Sequence, residues 1–204
     1  MRSFRPISDA ALLALLGERV QCWPGVVRVA IDGPACASPQ SLAESLVEPL
    51  RASGRPVHLV RAESFWHDAS LRLEHGRQDA ESYLSWLDAP ALRREVLDAV
   101  VESGTYLPSL RDPATNRTTR EPVRRAEPDA VVIVSGDLLL GLGLPFELTV
   151  HLAMSPAARA RHTPADQAWT LPALERYEAE VRPEEQADVV VRLNDPRHPA
   201  VALN

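Results

Sequence analysis

The sequence predicts an α/β fold, a parallel five-stranded central sheet forming the middle layer of a three-layer sandwich. Three observations predict it. Short, continuously apolar runs of the kind seen in strands buried on both faces recur along the chain and alternate with helix-period stretches. The first strong run passes through a glycine into an amphipathic stretch, "AIDGPACASPQSLAESL" over 30–46, a strand-turn-helix passage of the parallel type. The 204 residues, 45% of them apolar, suffice for one well-buried unit, and no break in composition marks a second.

Residues 1–25 read as an N-terminal helix and lead-in. The apolar run Ala10 to Leu16, bracketed by Asp9 and Glu18, is too short to span a bilayer and has no small-residue cleavage site after it, so a packed helix in a cytoplasmic protein is expected. Val26 to Asp32 is the expected central strand. A helix follows over 39–53, with Leu42, Leu46 and Leu50 on one face and Gly54 as its stop. The segment "PVHLVRA" at 56–62 is the second strand, and helical patterns occupy 79–87 and 90–102. A short hairpin insertion is expected over 105–121, its extended pieces flanking the turn-rich "RDPATN" at 111–116. Strands at 130–135, 146–152 and 188–193 complete five.

Charge narrows the partners. With 22 basic and 28 acidic residues the net charge is −6, and only 5% of residues are aromatic; neither an electrostatic grip on nucleic acid nor attachment to an anionic membrane is expected. A small molecule is the expected ligand, and self-association is left open. Every basic residue is arginine, because the chain has no lysine. That bias, with 18 prolines, suggests a GC-rich bacterial genome. Cys22 and Cys36 form neither a disulfide framework nor metal-ligand spacing, and no metal site is expected.

Parallel sheets bind ligands at the carboxyl ends of their strands. Three strand ends carry candidate chemistry: Asp32-Gly33, Glu63-Ser64-Phe65-Trp66-His67, and Ser135-Gly136-Asp137. Those stretches, in that order, resemble the uridine kinase-like branch of the P-loop kinases, over residues 26 to 196. "VRVAIDGPACASPQSLAESLVEPLRASGRPV" resembles the family's first strand, phosphate loop and helix, "AESFWH" the segment carrying the base for the acceptor hydroxyl, "VVIVSGDLLL" the third strand, and "ERYEAEVRPEEQADVVVRLNDP" the closing helix and last strand. The resemblance implies a P-loop kinase-like domain over 1–204, with 155–170 as a remnant of the lid.

The departures fall where phosphoryl transfer needs its parts. With Gly33 matched to the first loop glycine, Ser38 takes the place of the second, Pro39 that of the lysine and Gln40 that of the magnesium-binding hydroxyl residue, with Ser41 behind it; Ser135 replaces the strand-end acid. Proline removes both a charge and a backbone N–H. ATP and magnesium binding are therefore expected to be weak or absent, and no cofactor is expected. Ser38 is expected instead to cap the helix that Pro39 begins.

Glu63 matches the family's base and is the expected proton-transfer residue; the alternative is a solvated carboxylate paired with an arginine. His67 could share the proton work or be an ordinary surface histidine. Asp32 borders the former phosphate site, either as part of the chemistry or as a hydrogen-bond partner of the loop's own backbone. Asp137 either stands in for the lost strand-end acid or, as the favoured reading, caps a helix begun by "DLLLGLG". Trp66, Tyr83, Trp86, Asp88 and, in the hairpin, Tyr106 are candidates for the wall of the acceptor pocket, although Tyr83 and Trp86 at helical spacing also suit a core face. Arg159 and Arg161 match the lid arginines and could grip an anion or be solvated. The favoured reading is a kinase-like protein without ATP-dependent transfer that uses the acceptor pocket for acid/base chemistry. A catalytically silent pseudokinase that binds or regulates is the first alternative, and an atypical small-molecule kinase the second.

Overall fold

Each of the five apolar runs forms a strand, and all five are mutually parallel. The computed structural model describes residues 3–203. The chain runs β1 (Arg5–Pro6), α1 (Asp9–Gln21), β2 (Val27–Asp32), α2 (Pro39–Ala52), β3 (Val57–Arg61), α3 (Ala69–Arg72), α4 (Ala80–Tyr83), α5 (Ala89–Leu92) and α6 (Ala99–Glu102). It continues through β4 (Thr105–Tyr106), β5 (Arg124–Arg125), β6 (Val131–Gly136), β7 (Leu148–Ala153), α7 (Pro156–His162), α8 (Leu171–Glu180), α9 (Pro183–Gln186), β8 (Val189–Arg192) and β9 (Ala200–Leu203). The main sheet has the order β1-β9-β8-β7-β2-β6-β3. β2 pairs in parallel with β6 and β7, β3 with β6, and β7 with β8.

The sheet has seven strands, a correction to the expected five: β9 lies antiparallel to β8, and β1 antiparallel to β9. These strands, of four and two residues, are too short to show a period in sequence. Pro6 sits on the outermost strand, where a missing N–H costs no ladder bond.

Alternation along β2 divides the core. Val27, Val29 and Ile31 pack with Leu12, Leu16 and Val20 of α1 and with Ala43, Leu46 and Leu50 of α2. On the opposite face, Val132 and Val134 of β6 meet Phe65, Leu92, Val96, Leu97 and Val100. Full burial of each such side chain is worth about 1.5–3 kcal/mol. Helices cover both faces, as the fold class requires. The helix expected over 90–102 is continuous but contains a π-helical stretch, Arg93–Asp98, joining α5 to α6. The pattern at 79–87 yields only α4, because the chain turns at Leu84 so that Trp86 meets its partners. The hairpin's second arm is β5, beyond the expected limit of 121; the 111–116 turn is closed by a bridge between Arg111 and Thr118.

Register brings the strand ends together. Asp32 pairs with Gly136 on one side and His151 on the other. Gly136 also passes the Ala62 turn so closely that a Cβ there would lie 2.5 Å from the Ala62 Cβ. Gly136→Ala is therefore expected to destabilise the fold by about 1–3 kcal/mol. Gly17→Ala, in α1 with open space at its Cβ, is expected to stabilise it by about 0.5–1 kcal/mol. Urea denaturation of the two variants should give midpoints shifted in opposite directions.

Candidate functional site

A cavity of about 460 Å³ opens at the carboxyl ends of β3 and β6, bounded by the turn that follows β2 and the start of α2. Its polar side is built from Ser38, Gln40, Ser41, Arg61, Glu63, Ser135 and Asp137, and its apolar side from Trp66, Tyr83, Trp86 and Trp169.

The turn from β2 to α2 is held without charge. Pro39 is the first residue of α2, a position where its absent N–H and fixed φ suit a helix start. Ser38 corrects the capping expectation: its side chain makes no cap hydrogen bond, and its backbone is left-handed at φ 55°. It occupies the place where the family pattern has a glycine, and that conformation explains why a glycine suits it. Gln40 spans the floor. Its Oε1 accepts from Ser135 Oγ at 2.7 Å, and its Nε2 donates to Glu44 Oε1 at 2.7 Å.

Glu63 rides on a 3₁₀ turn, Ala62–Phe65, directly after β3, and forms an ion pair with Arg61, the last residue of that strand. Its side chain is 31% exposed. Asp137 is the other cleft carboxyl and a correction to the sequence reading: residues 137–140 form a turn, not a helix, so there is no helix for it to cap. Its Oδ2 accepts a hydrogen bond from the Tyr83 hydroxyl. Burial, reinforced by the Asp32 and Glu63 carboxyls and opposed by the Tyr83 hydrogen bond, pushes the Asp137 carboxyl up to about 6. Burial and the Asp137 carboxyl in turn raise the Tyr83 phenol, which stays protonated.

The apolar wall concentrates the chain's scarce rings, holding three of its four tryptophans. Tyr83 lies 4.9 Å from Trp86 and 5.3 Å from Trp169, and Trp66 lies 5.1 Å from Trp86, between ring centroids. Trp86 is fixed by its indole N–H, which donates to the Arg72 carbonyl at 3.1 Å. The Arg72 guanidinium, itself buried and outside the cleft lining, stacks 4.7 Å from the Trp86 ring and 5.1 Å from the Trp66 ring.

Asp32 does not reach the cleft. It is fully buried; Oδ1 accepts from the Leu139 N–H at 2.9 Å, and Oδ2 bonds the Tyr177 hydroxyl at 3.0 Å and His151 Nδ1 at 2.6 Å. The Leu140 N–H donates to the Tyr177 oxygen at 3.0 Å. Asp32 thus bonds the 137–140 turn rather than its own loop, and fixes the turn that presents Asp137, in which Leu138 is left-handed at φ 57°. His67 and Asp88 also lie outside the cleft lining; their nearest atoms are 3.7 Å apart, and Asp88 caps α5 by accepting from the Ala91 N–H. Tyr106 is buried against His58, with its hydroxyl 3.1 Å from Nδ1, in the core on the α5–α6 face. Arg159 is buried and paired with Glu178, and Arg161 reaches the Asn194 carbonyl at 3.3 Å. Gly33 supports the loop by close approach, since a Cβ there would lie 2.7 Å from the Leu152 Cβ.

Of the sequence candidates, the structure brings together Glu63, Trp66, Tyr83, Trp86, Ser38, Pro39, Gln40 and Ser41. Arg61 and Trp169 were missed, and Asp137 was misread. Trp169 had a signal: one of only four tryptophans, it stands in the segment matched to the lid.

Solved structures with the same arrangement are known, and they settle the fold. A possible uridine kinase from Bacillus stearothermophilus superposes with a TM-score of 0.71 at 18% identity, over 87% of this chain and 96% of that one. This chain has the uridine kinase-like P-loop kinase fold. A candidate fructose transport system kinase from Silicibacter sp. TM1040 matches with a TM-score of 0.57 at 21% identity, over 89% and 95% of the two chains. The YGR205w protein matches with a TM-score of 0.58 at 10% identity, over 96% and 98%. No family model and no curated protein matches the sequence. Among the described residues, no helix is long and apolar enough to cross a membrane.

Two measurements test the local physics of this kinase-like cleft. Ser38→Gly removes left-handed strain without breaking a cap and should stabilise the fold by about 1 kcal/mol, raising Tm by roughly 2–4 °C. Asp137 holds its proton more tightly in the folded state than in the unfolded chain, where the ordinary value is 3.8. Its stabilising contribution is therefore complete below about 3.8, is lost as pH rises, and is gone above about 6. Urea midpoints measured across that range should show Asp137→Asn gaining on the parent protein up to about pH 6, with a constant difference above it.

Proposed function

We propose that this cleft binds a small molecule and catalyses ATP-independent acid/base chemistry, with Glu63 and Asp137 as its proton-transfer pair. One observation carries the reading: two carboxyls share the cleft in different environments, Glu63 part-exposed and paired with Arg61, and Asp137 shifted up to about 6. Carboxyls set apart in this way can take acid and base roles near neutral pH. The two carboxyls exchange protons with the ligand, Asp137 being the one carried toward neutral pH, and the aromatic wall orients the ligand.

The site does not fit magnesium triphosphate. The position that would carry the lysine is Pro39, and no lysine exists elsewhere in the chain to replace it. Magnesium is usually held through one or two carboxylates together with the substrate's phosphates. The two positions that would hold it are Gln40 and Ser135, which are neutral and hydrogen-bonded to each other. A small hydroxylated compound or a nitrogen heterocycle is the ligand class proposed; the fold likeness to a possible uridine kinase and a candidate fructose transport system kinase supports that reading. A silent binding protein is the second reading. It is favoured by the satisfaction of both carboxyls within the protein, Glu63 by Arg61 and Asp137 by Tyr83.

The test is turnover of a panel of such compounds with and without ATP. The proposal expects ATP-independent turnover, a fall of about 10²-fold or more in kcat/KM for Glu63→Gln and for Asp137→Asn, and loss of an inflection near pH 6 in the second variant. Release of ADP coupled to turnover would overturn it. Ligand binding without turnover, unchanged by Glu63→Gln, would establish the silent reading.

A further inference from the structure

The charges and rings of the cleft restrict what its ligand can be. We propose that the cleft is built for a small organic cation, a protonated amine on a flat ring, with the ring against Trp169 and Tyr83 and the ammonium between Asp137 and Glu63. This deepens the reading of the cleft as a small-molecule site and rests on it.

Three features of the cleft support the inference. The charges that act on Asp137 are both carboxyls, Asp32 and Glu63. The one arginine in the lining, Arg61, is 58% exposed and already committed to Glu63. An anionic ligand would therefore meet carboxylates with no free cation among the lining residues to receive it, whereas an ammonium meets charge-assisted acceptors. Asp137 lines the cleft, and the Tyr83 hydroxyl bonds its Oδ2 alone. The wall is also suited to a cation. Ring faces attract positive charge, and Arg72 already uses the Trp66 and Trp86 faces in this way from outside the cleft. Trp169 makes no such contact and is left for the ligand, together with Tyr83.

The groups that face Asp137 set the pH behaviour. They are Tyr83 from α4, Glu63 from the turn after β3, Asp32 from β2 with its partner His151 from β7, and Tyr177 from α8. The raised phenols stay neutral, and Asp137 is the carboxyl that burial carries toward neutral pH. An ammonium ligand favours ionised Asp137, and its binding expels the proton when the pH is below about 6.

Benzylamine, benzyl alcohol and benzoate share a ring and differ in charge, which makes them the test. Tryptophan fluorescence of the full chain follows their binding, because three of the four tryptophans line the cleft. The inference expects benzylamine to bind about tenfold or more tightly than benzyl alcohol at pH 7.5, and benzoate more weakly than either. Benzylamine affinity should rise between pH 5 and about 6.5 and then level off, a rise that Asp137→Asn abolishes. Glu63→Gln should narrow the preference for amine over alcohol, which keeps the test open if Asp137→Asn folds poorly. Equal or tighter binding of the alcohol or of benzoate, or binding of none of the three, would overturn the inference. Turnover is not read in these titrations, so the acid/base proposal can survive that outcome, and the cation preference can survive the failure of the acid/base proposal.

Discussion

The hydrogen bond between Ser135 Oγ and Gln40 Oε1 joins the end of β6 to the first turn of α2, and it is neutral. In a P-loop kinase architecture that seam is where the fold concentrates negative charge and then needs cations to balance it. Here the same two positions satisfy one another, the Gln40 amide being extended to Glu44, while Pro39 begins the helix with a ring in place of a charged side chain. This turn is built from uncharged hydrogen bonding and conformational preference. The left-handed Ser38 shows the strain that remains.

Once the phosphate side is neutral, the electrostatics of the cleft belong to its carboxyls. Asp137 lies where it does because the 137–140 turn is held from below by Asp32 and Tyr177, so the buried network at the end of β2 positions a group it does not touch. The field of Asp32 also helps to keep the Asp137 proton in place. The aromatic wall answers a different requirement. Four-residue helices such as α3 and α4 have little stability of their own, and the rings of Trp66, Tyr83, Trp86 and Trp169, with the Arg72 guanidinium against them, hold that region to the sheet. The same packing that stabilises the segment forms the apolar wall of the cleft.

The sheet was legible because buried parallel strands are written as unbroken apolar runs: "VVIVS" and "VRVAID" leave little alternative to β6 and β2. The edge strands β9 and β1 were not legible, being held by pairing to the sheet rather than by any period of their own. The break after Tyr83 was hidden as well, since the pattern through Leu87 still suits a helix and it is the tertiary demand on Trp86 that ends it. At the site, Glu63 and the pocket aromatics could be read from strand-end position and resemblance. Asp137 could not, because helix-cap chemistry and a carboxyl at a strand end look the same in sequence when the following "LLLGLG" suits either helix or turn. Asp32 was placed correctly at a strand end but on the wrong side of the surface; nothing local distinguishes a buried carboxylate with three partners from one facing a ligand.

The fold has a cleft at its strand ends, and the turn that resembles a phosphate loop is built from neutral groups. Calorimetric titration of magnesium ATP into the parent protein, and into a variant carrying Pro39→Lys, Gln40→Ser and Ser135→Asp together, measures that claim directly. The account predicts no saturable binding to the parent at millimolar nucleotide and measurable binding to the triple variant. Submillimolar, magnesium-dependent binding of ATP to the parent, lost on substitution of Ser41 or Arg159, would contradict it.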